Sequence, residues 1–202
     1  MKIKICGVSN VGDALKISES GADYVGLIFA EKSPRLVSES EARAIASAGL
    51  SAKLVGVFVD SPAEFVRRAV GEYALAAVQL HGSENADYIK SLRGCGAEIW
   101  RAVWLSSRGD VTAAAEIECG KLVVDSSRGA SRGGTGLSAN WDLARELASV
   151  RDVFLAGGIS FANARAAIEQ VAPYGLDLNS AVEISPRKKN TDLISKYLKT
   201  IK

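Results

Sequence analysis

Eight short β-rich runs alternate along this chain with eight stretches of helical period, at nearly constant spacing. The runs are Lys2–Cys6, Tyr24–Phe29, Lys53–Val59, Ala76–Leu80, Glu98–Val103, Lys121–Asp125, Asp152–Ala156 and Gly175–Leu178. Marking Cys6, Ile28, Phe58, Leu80, Val103, Asp125, Ala156 and Leu178 near their ends gives successive gaps of 22, 30, 22, 23, 22, 31 and 22 residues. Neighbouring parallel strands need a long crossover, usually a helix, and a unit of this length supplies one. Eight such units predict a closed (β/α)8 TIM barrel of eight parallel strands. The 202 residues form a compact single domain spanning 1–202 on this reading, near the lower limit of about 200 residues for the fold. An open doubly wound sheet is the rival. It usually opens with a glycine-rich fingerprint, which Cys6-Gly7-Val8-Ser9-Asn10 lacks.

Composition narrows the partners. Hydrophobic residues make up 48% and charged residues 24%, a globular balance. Lys+Arg number 25 against 23 Asp+Glu, so charge gives no reason to expect a nucleic acid or an anionic membrane. Cys6, Cys95 and Cys119 have no CxxC spacing and are odd in number, which argues against a disulfide scaffold or structural zinc. The single histidine, His81, gives little for a metal site, and none is expected. Alternating charges in Met1–Cys6 do not read as a signal peptide, and no apolar run is long enough to span a bilayer. A cytoplasmic location is expected from the unpaired thiols.

Active sites of such barrels lie at the C-terminal strand ends, and that rule selects the residues to inspect. Gly157-Gly158 follows the seventh strand, Asn179-Ser180 the eighth, and Gly133-Gly134-Thr135-Gly136 the sixth. Glycines let backbone N–H groups approach an anion, and barrels that take phosphorylated metabolites often bind phosphate in the last loops. Three such clusters at one face favour a small phosphorylated substrate over simple turns. Cys6 closes the first strand, where a thiol with its pKa lowered by neighbours can act as a base or nucleophile. Lys4 shares its strand parity and needs a carboxylate partner, with Asp125, Asp177 and Glu183 as candidates. Asp125 ends an apolar strand and suits acid duty, since burial raises a carboxyl pKa. Arg35 in Lys32–Arg35 is either a solvated charge or a grip on a substrate carboxylate. His81 is either a proton carrier or donor, or a helix cap. Lys53 and Lys121 begin their strands, at the wrong end for a Schiff base. Capping signals place helix starts at Ser61 with Glu64, Ser38 with Glu41, and Ser160 with Asn163.

The ordered set of motifs resembles the N-(5'-phosphoribosyl)anthranilate isomerase family over nearly the whole chain. It comprises Lys4-Ile5-Cys6-Gly7, Gly21-Ala22-Asp23 with Gly26-Leu27-Ile28-Phe29, Ser33-Pro34-Arg35, Gly56-Val57-Phe58-Val59 and Val78-Gln79-Leu80-His81-Gly82. Asp125, Gly133–Gly136, Leu155–Gly158, Asp177–Ser180, Val182-Glu183 and Pro186–Lys189 continue it. The resemblance implies an aldose–ketose isomerase of tryptophan biosynthesis, an intramolecular oxidoreductase that needs no cofactor. Its reaction is the Amadori rearrangement of a phosphoribosyl amine into an amino-deoxyribulose phosphate. By the same resemblance Asp125 is the general acid at the ribose ring oxygen and Cys6 the general base at C2'. Such a pair calls for acid and base pKa values pushed in opposite directions. Arg35 matches the position holding the anthranilate carboxylate, Asp177 one near the substrate amine, and His81 lies among the substrate-binding positions. Gly134, Thr135, Gly136, Gly157, Gly158, Asn179 and Ser180 match the phosphate loops. One position departs. The family usually reads Ser-Gly-Val-Glu where this chain has Ser180-Ala181-Val182-Glu183, and a positive φ there would make alanine costly. A related phosphoribosyl sugar isomerase of histidine biosynthesis, or a catalytically silent phosphometabolite-binding barrel, are the alternatives. Either a monomer or a homodimer is compatible with a site made by one chain.

Overall fold

The structure, a computed structural model, describes residues 1–125 and 140–201. Eight parallel strands close a barrel in chain order: β1 (Lys2–Cys6), β2 (Tyr24–Ile28), β3 (Lys53–Phe58), β4 (Ala77–Leu80), β5 (Glu98–Val103), β6 (Lys121–Val124), β7 (Val153–Leu155) and β8 (Gly175–Leu178). The helices are α1 (Val11–Glu19), α2 (Glu39–Ala46), α3 (Ala63–Glu72), α4 (Ala86–Ser91), α5 (Arg108–Ala115), α6 (Trp141–Ala148), α7 (Ala164–Val171) and α8 (Thr191–Ile201). Every strand lies within the run that the sequence rhythm marked. A ribbon of two short antiparallel strands, β9 (Glu183–Ser185) and β10 (Lys188–Lys189), sits between β8 and α8. Hydrophobic patterning gave no sign of it, because four of its five residues are charged or serine.

Strand alternation makes two cores. Outward residues such as Ile3, Ile5, Val25, Leu27 and Val78 pack against the helices. Inward residues fill the barrel: Tyr24, Val55, Ala77, Trp100, Val123 and Phe154 form one cluster. Trp100 stacks on Phe154 with ring centroids 4.8 Å apart, and Tyr24 meets Trp100 edge-on at 5.1 Å. Cys6, Ile28 and Val57 form a smaller inward cluster at the C-terminal strand ends. The inward layer below Cys6 is polar, holding Lys4 and Asp177. These two are register partners across the β1–β8 seam that closes the barrel.

Caps fix where several loops end. Ser38 and Glu41 form the expected capping box of α2. The other two expected caps are corrected. Pro62 takes the N-cap of α3, and the Ser61 hydroxyl turns back to the Val59 carbonyl. Asn163 accepts from the Ser160 amide instead of capping α7, because its side chain faces the turn before the helix. The fourth helix starts at Ala86. Asn85 caps it, while Glu84 is buried in a separate network.

Candidate active site

The site is built upward from the polar layer. Lys4, on β1 and fully buried, places Nζ 2.7 Å from Oδ2 of Asp177 on β8. Of the three carboxylates expected for Lys4, the structure selects Asp177. Cys6 lies one inward position above Lys4 and is itself buried. Space for both comes from Gly26 on β2. A Cβ there would lie 2.8 Å from Cys6 Sγ and 3.2 Å from Lys4 Cε. No sequence signal singles out this glycine by itself. Its role follows from the register that sets Gly26 beside Cys6.

Electrostatics of this layer departs from one expectation. Burial pushes the Cys6 thiol above its ordinary pKa, with Asp177 adding to the rise and Lys4 and Lys189 only partly opposing it. A lowered thiol was expected; desolvation outweighs the neighbouring cations. Burial works against the charge on Lys4, but Asp177 and Cys6 more than compensate and hold its pKa up. Asp177 is also raised by burial, with Lys4 opposing. Its Oδ1 is buried without a hydrogen-bond partner among the described residues, so one acceptor is left unused.

His81 follows β4 and Asp125 follows β6. Nε2 of His81 lies 3.6 Å from Oδ2 of Asp125, longer than a direct hydrogen bond. Nδ1 lies 3.1 Å from the amide nitrogen of the buried Gln79. With that amide donating to Nδ1, the imidazole proton sits on Nε2, toward Asp125. Burial lowers the His81 pKa against the pull of Asp125, which favours a neutral ring. Trp104 meets the same ring edge-on at 5.6 Å. His81 does not cap the following helix; Asn85 does.

The loop carrying His81 is braced by a network the sequence did not reveal. Glu84 accepts from the Asp60 and Gly82 amides at 2.8 and 2.9 Å. Arg101 donates to Glu84 at 3.0 Å and to the Leu80 and Gly82 carbonyls. Asp60 in turn accepts from the Ser83 amide and hydroxyl.

Arg35, in the loop after β2, does not stand free in solvent. Its guanidinium pairs with Glu183, with Nη2 2.7 Å from Oε2. Gly157 and Gly158 follow β7 with φ of 69° and 73°, the left-handed backbone that favours glycine. After β8, Ser180–Val182 forms a single 3-10 turn, whose first amides have no acceptor within the turn. Ala181 is not among the residues with positive φ, so alanine carries no left-handed strain at the departing position. Gly134, Thr135 and Gly136 lie outside the described residues. Cys95 and Cys119 are half-buried beyond α4 and α5, at the opposite barrel face. Among the described residues no helix is long and apolar enough to cross a membrane.

Residues 3–200 match the family described as N-(5'phosphoribosyl)anthranilate (PRA) isomerase. The N-(5'-phosphoribosyl)anthranilate isomerase of Rubrobacter xylanophilus is 36% identical, with 100% of this chain and 98% of the relative covered. That of Thermotoga neapolitana is 38% identical over 100% of this chain and 98% of its own length. A crystal structure of the Thermotoga maritima enzyme superposes with a TM-score of 0.90 at 34% identity, covering 98% of this chain and 97% of that one. A phosphoribosyl anthranilate isomerase bound to reduced 1-(o-carboxyphenylamino)-1-deoxyribulose 5-phosphate gives 0.85 at 33% identity, covering 98% and 97%. With match, coverage and barrel in agreement, the chain belongs to the N-(5'-phosphoribosyl)anthranilate isomerase family.

Proposed function

We propose that this chain catalyses the Amadori rearrangement of N-(5'-phosphoribosyl)anthranilate to 1-(2-carboxyphenylamino)-1-deoxyribulose 5-phosphate, with Cys6 as general base and Asp125 as general acid. The observation that carries this reading is the inward layer at the strand ends. One thiol, one carboxylate and one imidazole converge there above a buried Lys4–Asp177 pair.

The steps balance within the substrate. Asp125 donates a proton to the ribose ring oxygen as the C1'–O bond breaks, leaving an iminium between C1' and the aryl nitrogen. The Cys6 thiolate removes the proton from C2', and the C–H electron pair forms the C1'=C2' bond, neutralising the iminium. The enol then ketonises: its O–H proton leaves, the carbonyl forms at C2', and C1' takes up a proton. No electrons enter or leave, so the chemistry draws on general acid–base groups alone. The raised thiol pKa has a consequence here. A thiolate in this pocket is scarce near neutrality but strongly basic once formed. Lys4 beside it stabilises that anion.

Binding follows the same geometry. Arg35 holds the aryl carboxylate, Asp177 Oδ1 accepts from the substrate amine, and backbone groups of Gly157, Gly158, Asn179 and Ser180 hold the phosphate. Gly134, Thr135 and Gly136 are proposed to join them. His81, neutral with its proton on Nε2, faces Asp125 at 3.6 Å and orients its carboxyl by the dipole of that N–H. Each of these groups comes from one chain, so the reaction needs no second subunit. A cofactor-independent reaction in the cytoplasm completes the reading. The Thermotoga maritima relative is described as dimeric, and a dimer of this chain would leave the reaction unchanged.

The test is to generate phosphoribosylanthranilate in situ and follow its anthranilate-type emission after adding purified protein. Enzyme-dependent loss, with the ketone product seen by NMR, is the expected result. Phosphate-ligand binding without turnover would overturn the reading in favour of a silent barrel. Turnover of the histidine-pathway aminoaldose alone would shift the substrate.

A further inference from the structure

Arg35, Glu183 and Lys189 form a chain of charges beside the acid and base but separate from them. Arg35 comes from the β2 loop, Glu183 opens β9 and Lys189 ends β10. The Glu183 carboxylate, 4% exposed, accepts from Arg35 Nε at 2.9 and 3.0 Å and from Nη2 at 2.7 Å. It also accepts from the buried Lys189 Nζ at 2.8 Å. Lys189 spends its remaining donors on Asn179, at 3.0 Å to Oδ1 and 3.3 Å to the carbonyl.

A guanidinium presents two flat edges able to grip a carboxylate in a bidentate fork, Nε with Nη2 and Nη1 with Nη2. Glu183 occupies the first. Nη1 has no hydrogen-bond partner among the described residues, so the second edge stays available. Arg35 is also the most exposed of the three side chains, at 19%. Two cations share one carboxylate, so the cluster carries a charge of +1 that a second carboxylate would neutralise. Gly7 makes the convergence possible. A Cβ at its φ of 73° would lie 2.8 Å from both Arg35 Cδ and Asn179 Oδ1.

We propose that Glu183, fixed by Lys189, is a positioning residue that aims the free edge of Arg35 at a ligand's aryl carboxylate. The Lys189–Asn179 contacts then set the spacing between that grip and the loop at Ser180. This rests on the reading of Arg35 as the carboxylate grip, and deepens it into a device for substrate selection.

Two stable ligands test it by calorimetry: reduced 1-(o-carboxyphenylamino)-1-deoxyribulose 5-phosphate and its counterpart lacking the ring carboxylate. Wild-type protein is expected to prefer the first by about tenfold or more, the scale of a bidentate charge-assisted contact. Glu183→Gln, which keeps the shape and loses the charge, is expected to cut that preference to about threefold or less. Affinity for the carboxylate-free ligand should stay nearly constant, which an ion pair serving stability alone would not separate. Should Glu183→Gln fail to fold with Lys189 unpaired, Glu183→Gln/Lys189→Met removes both charges and takes the same readout. A full preference retained in these variants but lost in Arg35→Ala overturns the positioning role while leaving the Arg35 reading intact. No preference in wild type, or an unchanged one in Arg35→Ala, overturns that reading and the inference with it.

Discussion

Cys6 shows how one residue's surroundings set its chemistry. Its place at the end of β1 was legible from strand parity alone, as was its kinship with Lys4. Its ionisation was not, because a thiol's pKa depends on how completely barrel neighbours exclude water, and that is a property of the closed structure. The sign of the shift gives a pH prediction. The base acts as thiolate, and burial raises the pH at which the thiolate forms. The rate constant kcat/KM should therefore climb with pH through neutrality into the alkaline range. A plateau already reached at pH 6 in a stopped-flow or steady-state profile would count against a raised thiol as the base. Asp125→Asn, which cannot donate the ring-oxygen proton, should lower kcat by about 10²–10⁴-fold, the usual worth of a general acid. Arg35→Ala should raise KM more than it lowers kcat, since a grip equal in ground and transition states affects binding alone. An unchanged KM would count against the carboxylate contact. Arg35 was ambiguous in the sequence for a physical reason: its partner Glu183 lies 148 residues away, and no local pattern announces such a pairing.

At the scale of the element, strands were easier to read than the loops above them. The short β-rich runs reflect burial on both faces of a parallel sheet, which leaves a strong imprint on residue type, and the near-constant gaps reflect the helical crossover each unit needs. Loops are set by side-chain hydrogen bonds between distant segments. The capping box at Ser38 and Glu41 is local and was foreseen, whereas nothing near Glu84 in sequence marks it as an anchor for the β4 loop. Its bond to Arg101 crosses from β5 and holds the stretch that carries His81. Arg101→Met would leave the Glu84 carboxylate buried beside amides alone. Loss of one partner from a buried ion pair costs about 3–5 kcal/mol, and urea denaturation should show a loss near the low end because two amides still donate to Glu84. A loss below about 0.5 kcal/mol, the range of ordinary surface changes, would mean the network is not a brace.

For the whole molecule, the decisive feature is closure. β1 must find β8 across nearly the full chain, and the seam places Lys4 opposite Asp177 at its buried centre. The fold was legible because eight equal units admit few other arrangements; the seam's chemistry was legible only as a choice among three carboxylates. Asp177→Ala should destabilise the barrel by about 3–5 kcal/mol by stranding a buried ammonium, and Lys4→Met in the same protein should recover much of that loss. Equal stability of wild type and Asp177→Ala in denaturant titration would show that the pair does not hold the seam. The same pair sits directly beneath the proposed base, so the element that closes the barrel also shapes the anion that reacts. The most direct measurement is therefore the rate of phosphoribosylanthranilate loss by wild type and Cys6→Ser, side by side and with matched circular dichroism. Rapid loss with wild type, and a fall of about 10²-fold or more with the folded variant, is the predicted result. Wild-type turnover by Cys6→Ser would contradict the assignment of the base, and no turnover by either protein would contradict the reaction itself.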